Sequence, residues 1–360
     1  MAATDVMNIA DLDEAFDWQA SHADKNGAPC TARMVRALAK LATGDTEVGK
    51  RVANWEGLTL QDALPLRLAG GMHHLLLSGA DARLREVYSG ALTDQGAIDA
   101  LVADLAQQHD AALLPWLDGP PQTNEAGRSA SIMAALMWLS GRLGPRFDMF
   151  ELGASAGVNT MMERYFYRLG SSVAGPASSP MQITPEWRGA SPPQNPVEIT
   201  RICGCDQQVI DISDPAAALK LKSYVWPEVS QRITRIDAAI ALAGQRPPDL
   251  VQMDAGDFAV QQLARPPQDG TTRTMFHSIM WQYMPDQTKQ AITDCIAAAG
   301  ATATPDRPLA WIALETDPAT FRHELKVRYW NGTGQGGEPQ LLAFAHAHGA
   351  WVEWLGDDSG

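Results

Sequence analysis

Apolar and polar positions change their rhythm near residue 120. Before it, apolar residues recur at helical spacing over Leu12–Ala23, Thr31–Leu41, Leu60–Ser78 and Ala97–Asp110. Thr31 follows Pro29 and reads as an N-cap, while Pro65 and the Gly70-Gly71 pair interrupt the third helix. No period-2 alternation occurs up to Pro120. A short loop, Asp118–Asn124, then leads into a helical pattern over Glu125–Leu139, with Asn124 or Thr123 as its cap.

From Phe147 onward, strand-length apolar runs alternate with helical ones. The expected strands are Phe147–Leu152, Val197–Cys205, Asp249–Met253, Thr274–Trp281 and Leu309–Leu314. The expected helices are Val158–Leu169, Glu228–Leu242 and Asp286–Ala299. Gly170–Pro196 is rich in Gly, Ser and Pro and reads as a surface insertion with one short strand, Met181–Thr184. Val327–Trp330, Leu341–Ala345 and Trp351–Trp354, with a Gly-rich turn at 332–337, read as a closing β-meander. The fold class implied is α/β: a doubly wound, Rossmann-like sheet with a C-terminal antiparallel hairpin, preceded by an α-helical region. The boundaries are 1–120 for the helical region, a lid, support or dimerisation surface, and 121–360 for the α/β domain, with its insertion at 170–196.

Charge narrows the partners. The formal net charge of −14 repels phosphate backbones and anionic membranes, which argues against a nucleic-acid partner and for a small-molecule substrate. The N-terminus has neither a basic n-region nor an apolar h-region, and no run approaches the roughly 18 apolar residues of a membrane helix. Cys30, Cys203, Cys205 and Cys295 are too scattered for a disulfide framework. These features point to a soluble, cytoplasmic protein, with a homo-oligomer left open. Cys203-x-Cys205 invites a metal reading, but no second ligand pair stands at zinc-site spacing, so no metal is expected.

The chemistry concentrates in Phe147–Asn159, FDMFELGASAGVN, a strand followed by a turn of small residues. Three readings compete. A dinucleotide site wants G-x-G-x-x-G, and this turn is G-x-x-x-G. A hydrolase nucleophile elbow is literally present as Gly153-Ala-Ser155-Ala-Gly157, but an elbow follows the central strand of a sheet that already has several, and the preceding region is helical. The third reading is S-adenosylmethionine (SAM), a cofactor without phosphate. Glu151, Gly153, Ala154, Ser155 and Gly157 then pack on its methionyl and ribose parts. Asp206, after the second strand, accepts from the ribose hydroxyls. Asp254, with Ala255, stands beside the adenine after the third. A lone carboxylate at a strand end is usually a cap or turn former; here three follow in order.

The same segments carry a resemblance. Gln122-Thr-Asn-Glu-Ala-Gly-Arg128, Glu151–Asn159 with Arg164-Tyr-x-Tyr-Arg168, and Asp206 with Asp211-Ile-Ser-Asp-Pro215 form its first part. Val225-Trp-Pro-Glu228, Asp254-Ala255, Phe276-His-Ser278 with Tyr283-Met-Pro285, and His346-Ala-His-Gly349 complete it. Through them the chain resembles an uncharacterised bacterial family, domain of unknown function 2332, whose members look like class I SAM-dependent methyltransferases. The resemblance implies a fold and a cofactor class, not an acceptor.

It also implies where an acceptor would lie. The end of the fourth strand, with His277 and then Tyr283, faces the methyl group in such folds. His277 is the natural general base by its intrinsic pKa, or else a core histidine bonded to a backbone carbonyl. Asn124, Glu125 and Arg128 either line the substrate side or form a helix cap and a surface i to i+3 ion pair. A SAM-dependent methyltransferase acting on a small molecule is the expectation. A non-catalytic SAM or nucleoside sensor is the alternative, and a hydrolase using Ser155 stands third.

Overall fold

A computed structural model describes residues 11–58, 62–333 and 337–357. The N-terminal stretch 1–10, Leu60 and Gln61 of an expected helix, and part of the Gly-rich turn lie outside the described residues. In chain order come α1 (Leu12–Lys25), α2 (Pro29–Ala39), α3 (Glu47–Ala53), α4 (Leu64–Leu77), α5 (Leu84–Tyr88), α6 (Gln95–Gln108), α7 (Asp110–Leu113) and α8 (Ser129–Leu143). Then follow β1 (Arg146–Leu152), β2 (Phe166–Leu169), β3 (Ser172–Ala174), β4 (Gln182–Ile183), β5 (Glu186–Arg188) and β6 (Glu198–Asp206). After α9 (Pro215–Ser223) and α10 (Ser230–Gln245) come β7 (Leu250–Gln252), α11 (Ala255–Leu263), β8 (Thr272–Ser278) and α12 (Asp286–Ala301). The chain closes with β9 (Leu309–Thr316), β10 (His323–Trp330), β11 (Gln340–Ala345) and β12 (Trp351–Trp354).

Two compact units result: Met1–Thr123 with Asp214–Thr234, and Asn124–Ser213 with Arg235–Gly360. The first is helical. Its amphipathic helices bury Phe16, Met34, Leu38, Leu68 and Met72 in one apolar core. Gly70 and Gly71 do not break α4. A Cβ at Gly70 would stand 2.7 Å from the Tyr224 ring and one at Gly71 3.1 Å from the Trp116 ring, so glycine lets aromatic rings lie against the helix. Pro65 sits in the first turn of α4, where its missing N–H costs nothing. Thr31 is no cap: Pro29 opens α2, and the Thr31 amide and hydroxyl both donate to the Glu228 carboxylate at 2.7 Å. His73 and His74 both belong to α4, the first buried and the second half-buried.

The second unit is a mixed α/β fold around a nine-stranded, mostly parallel sheet in the order β5-β12-β11-β10-β9-β8-β1-β6-β7. β7, β6, β1, β8 and β9 run parallel, and β10, β11 and β12 continue as an antiparallel meander. Near-continuous apolar runs suit the central parallel strands β1 and β8, which are covered on both faces, whereas β7 at the edge is largely exposed. Adjacent residues of β10 show the two layers. Tyr329 meets Trp138 of α8 on one face, and Trp330 packs over Gly300 of α12 on the other. On the α12 face, Phe150, Met275 and Trp311 share a core with Phe258, Ile292 and Ile296.

One expected element is absent. Val158–Leu169 is not a helix but a short 3-10 turn, Asn159–Arg164, followed by β2. Tyr165, Tyr167 and Leu169 are buried while Arg168 between them is exposed, so a period-2 pattern overrides the helical one. The insertion supplies β3 and β4, which flank β2 in a three-stranded sheet, β3-β2-β4, before β5 pairs with β12 at the edge of the main sheet. Asn124 also fails to cap a regular helix: a 3-10 turn, Ala126–Arg128, intervenes before α8. Among the described residues no helix is long and apolar enough to cross a membrane.

Candidate functional site

The parallel strands β7, β6, β1, β8 and β9 end on one edge, and Glu151, the glycine turn, Asp206 and Asp254 lie at the ends of β1, β6 and β7 there. The turn after β1 is built by its glycines. Gly153 and Gly157 both adopt φ of +69°, and Ser155 between them lies at +53°. The Ala154 amide donates to the Cys205 carbonyl at 2.8 Å, and the Gly157 amide to Ala154 at 2.7 Å. A Cβ on Gly204 would stand 2.6 Å from that of Ala154, so β6 needs glycine there for the turn to close over it.

Asp206 fastens the turn from the end of β6. Its carboxylate accepts the Ser155 amide at 2.8 Å and the Gln208 amide at 2.9 Å. Asp254 caps α11 through the Gly256 amide at 2.8 Å and also accepts from Gln207 at 3.2 Å. Ala255 is buried behind it.

Glu151 is the most unusual residue of the edge. It is 1 % exposed, with one oxygen 3.3 Å from the Asn159 amide group, while its Oε2 has no hydrogen-bond partner. Burial pushes its carboxyl up to about 8; the Asn159 hydrogen bond and Arg128 oppose that shift, and Asp206 adds to it. Ser155 Oγ and Asn159 Oδ1 are likewise buried without partners.

Segments far apart in the chain are stitched together around this group. Asn124 Oδ1 accepts the Val158 amide at 2.7 Å. Arg128 donates to the Ala347 carbonyl at 2.9 Å and to the Ser278 carbonyl at 3.3 Å. Glu125 and Arg128 are both buried, which corrects the surface ion-pair reading. His346 and His348 lie in the turn between β11 and β12, and their rings meet at 5.5 Å.

A second cluster occupies the other face of the sheet. Glu151 lies in register with Phe276, so His277 projects to the opposite side, the one covered by α12. His277 Nδ1 lies 2.7 Å from a carboxylate oxygen of Glu315 on β9. That carboxylate also accepts the amides of Met280 and Trp281 at 3.2 Å. The His277 ring stacks on Trp281, with centroids 4.7 Å apart, and tilts against Trp311. His277 is 1 % exposed, and its Nε2 has no hydrogen-bond partner. It is a core histidine, but its partner is a carboxylate rather than a backbone carbonyl. Tyr283 is not drawn in and is 60 % exposed.

Sequence reasoning missed Glu315. The available signal was a carboxylate at the end of the strand next to the one that carries His277. Cys203 and Cys205 face the apolar core, where burial pushes their thiols up to about 11 and about 12.

No curated protein and no solved structure matches the chain. Residues 13–354 match a family described as "Uncharacterized protein conserved in bacteria (DUF2332)", and the chain belongs to that family.

Proposed function

We propose that this protein binds SAM along the carboxyl edge of β1, β6 and β7 and transfers its methyl group to a small molecule. The observation that carries the reading is Glu151. A buried carboxylate with an oxygen left unpartnered is costly, and a cationic ligand group relieves that cost. SAM brings two cationic centres, an ammonium and a sulfonium, and no phosphate.

Other features support it. The parallel strands follow the spatial order third, second, first, fourth, fifth, as in doubly wound nucleotide-binding sheets. Such sheets bind ligands beyond their strand ends at the point where the order reverses, here between β1 and β8. Asp206 spends two of its roughly four acceptor positions on the turn, which leaves capacity for ribose hydroxyls. No α-helix follows the glycine turn, so the N-terminal amides that hold a phosphate in dinucleotide folds are missing there. The net charge of −14 favours a small-molecule acceptor over a nucleic acid. Ser155 Oγ has no hydrogen-bond partner, so no histidine holds it as a nucleophile, which counts against a hydrolase.

Isothermal titration with SAM and S-adenosylhomocysteine tests the reading. Saturable binding is expected, lost in Asp206→Ala and kept in His277→Ala. No heat of binding at millimolar cofactor sinks it. Labelling of Ser155 by a fluorophosphonate would bring the hydrolase back instead.

A further inference from the structure

The methyl-transfer reading leaves open what His277 and Glu315 do, and three observations bear on it. The first is the fixed imidazole. Glu315 is anchored by the Met280 and Trp281 amides and meets His277 Nδ1 at 2.7 Å. A carboxylate accepts and does not donate, so the Nδ1 position carries the proton, and in the neutral ring Nε2 is the lone-pair nitrogen. The second is that this nitrogen is buried and has no hydrogen-bond partner. The third is the aromatic rim around the same strand ends. Trp281 stacks on the imidazole, Tyr283 follows two residues later at 60 % exposure, and Phe321 is 70 % exposed in the turn that follows β9. Phe321 holds a φ of +56° there, a conformation costly for a bulky side chain.

From these we infer that His277 and Glu315 form a positioned base for an acceptor with an aromatic hydroxyl group, whose ring lies against Trp281. His277 is the catalytic residue and Glu315 the positioning one. The inference rests on the proposed methyl transfer for its second substrate, but the proton step stands on this cluster alone.

The hydroxyl is assigned by proton affinity. An imidazole in water titrates near 6.5 and a phenol near 10, a gap of about 3.5 units that a positioned base can bridge. An aliphatic hydroxyl behaves more like bulk water, at roughly 15.7, which is far outside that reach. An amine acceptor is a nucleophile once neutral and needs no carboxylate-held base. In the reaction the O–H bond breaks and its proton passes to Nε2, making His277 an imidazolium faced by the Glu315 carboxylate. The oxygen electron pair forms the new O–CH3 bond. The S–CH3 bond breaks, and its pair returns to sulfur, which leaves as the neutral thioether S-adenosylhomocysteine. The imidazolium then gives its proton to water. Beside the dyad, β10 places Glu324 in register with Glu315, and that second carboxylate is paired to Lys326.

The test uses 4-nitrophenol, whose phenolate absorbs in the visible, titrated into the full chain with and without S-adenosylhomocysteine. The pH is set on the acid side of the probe's own pKa. Saturable binding with a phenolate band is expected. In Glu315→Gln, which keeps an oxygen for the two amides, the ionised fraction at saturation should fall about tenfold, or one pKa unit. In His277→Ala the band should vanish while the neutral probe still binds. A bound probe that stays neutral in the wild-type chain, a phenolate fraction unchanged in Glu315→Gln, or no saturable binding overturns the inference. The two readings fail separately. SAM binding with a neutral probe removes this base alone, whereas a phenolate band without SAM binding keeps the base and removes the methyl donor.

Discussion

The side-chain oxygen of Asn124 lies 2.7 Å from the amide of Val158, 34 residues further along the chain, and both residues are buried. This bond joins the segment before α8 to the glycine turn after β1. Leaving a buried N–H unpaired costs about 1–3 kcal/mol. Asn124→Ala should therefore lose that much stability in urea denaturation, while Asn124→Asp, which keeps an acceptor oxygen, should lose less. Equal losses in the two variants would mean that the side chain packs rather than bonds.

Glu151 predicts a pH dependence with a definite sign. Burial raises its carboxyl from the ordinary 4.5 to about 8, so the folded chain holds a proton that the unfolded chain has already released. Its contribution to stability is full below pH 4.5 and is lost as the pH rises toward about 8. Glu151→Gln cannot release that proton, so the variant should gain on the wild-type chain across this window in Tm measured against pH. Parallel curves would place the shift elsewhere.

The same residue predicts proton release on binding. A cationic ligand lowers the pKa of the carboxylate that it meets. At pH 7, SAM should therefore drive a proton off Glu151, and the calorimetric enthalpy should depend on the ionisation enthalpy of the buffer. Glu151→Gln should remove that dependence. Wild-type heats that are identical in phosphate and Tris would refute the pairing.

The sequence made the sheet legible because its parallel strands are short apolar runs closed by carboxylates. Phe147–Leu152 ends beside Glu151, and Val197–Cys205 runs into Asp206. The segment after the first strand was not legible in the same way. Val158–Arg164 has helix-forming residues, and only the burial of Tyr165, Tyr167 and Leu169 reveals that a strand follows. α9 had a signal that went unread, since Asp214 caps it through the Ala217 amide and Pro215 opens its first turn. The faces of Glu151 and His277 could not be read without register, because a shift of one residue between β1 and β8 exchanges them. Glu315 needs both register and the loop that brings the Met280 and Trp281 amides over it.

Ser155 separates backbone from hydroxyl. It sits at a φ of +53°, and its amide serves Asp206 while its hydroxyl has no partner. Glycine accepts that conformation freely, though it adds entropy to the unfolded chain. Ser155→Gly should be neutral or up to about 1 kcal/mol more stable, with SAM affinity unchanged. A variant that binds SAM normally but loses all turnover would return the hydroxyl to the chemistry.

Gly204 makes the sharper demand, because its neighbours cannot swing away. A Cβ there would lie 2.6 Å from the Cβ of Ala154 and 3.0 Å from Cγ2 of Thr160. Both neighbours are short side chains on backbone tied into the turn, and the Gly204 amide itself donates to Asp249 at 3.0 Å. Relief must come from moving β6 or the turn, and overpacking of this kind costs about 1–3 kcal/mol. Displacing the turn also shifts the Ser155 amide from Asp206, so SAM affinity should drop at least roughly tenfold, or about 1.4 kcal/mol. Gly244→Ala is the matched control. It lies in α10 with nothing within 4 Å of the added carbon, so alanine there should stabilise the helix by up to about 1 kcal/mol and leave binding untouched. Opposite signs for these two substitutions in denaturation, with affinity lost only in Gly204→Ala, locate the cofactor over the turn. Affinity retained in Gly204→Ala would move it elsewhere on the edge.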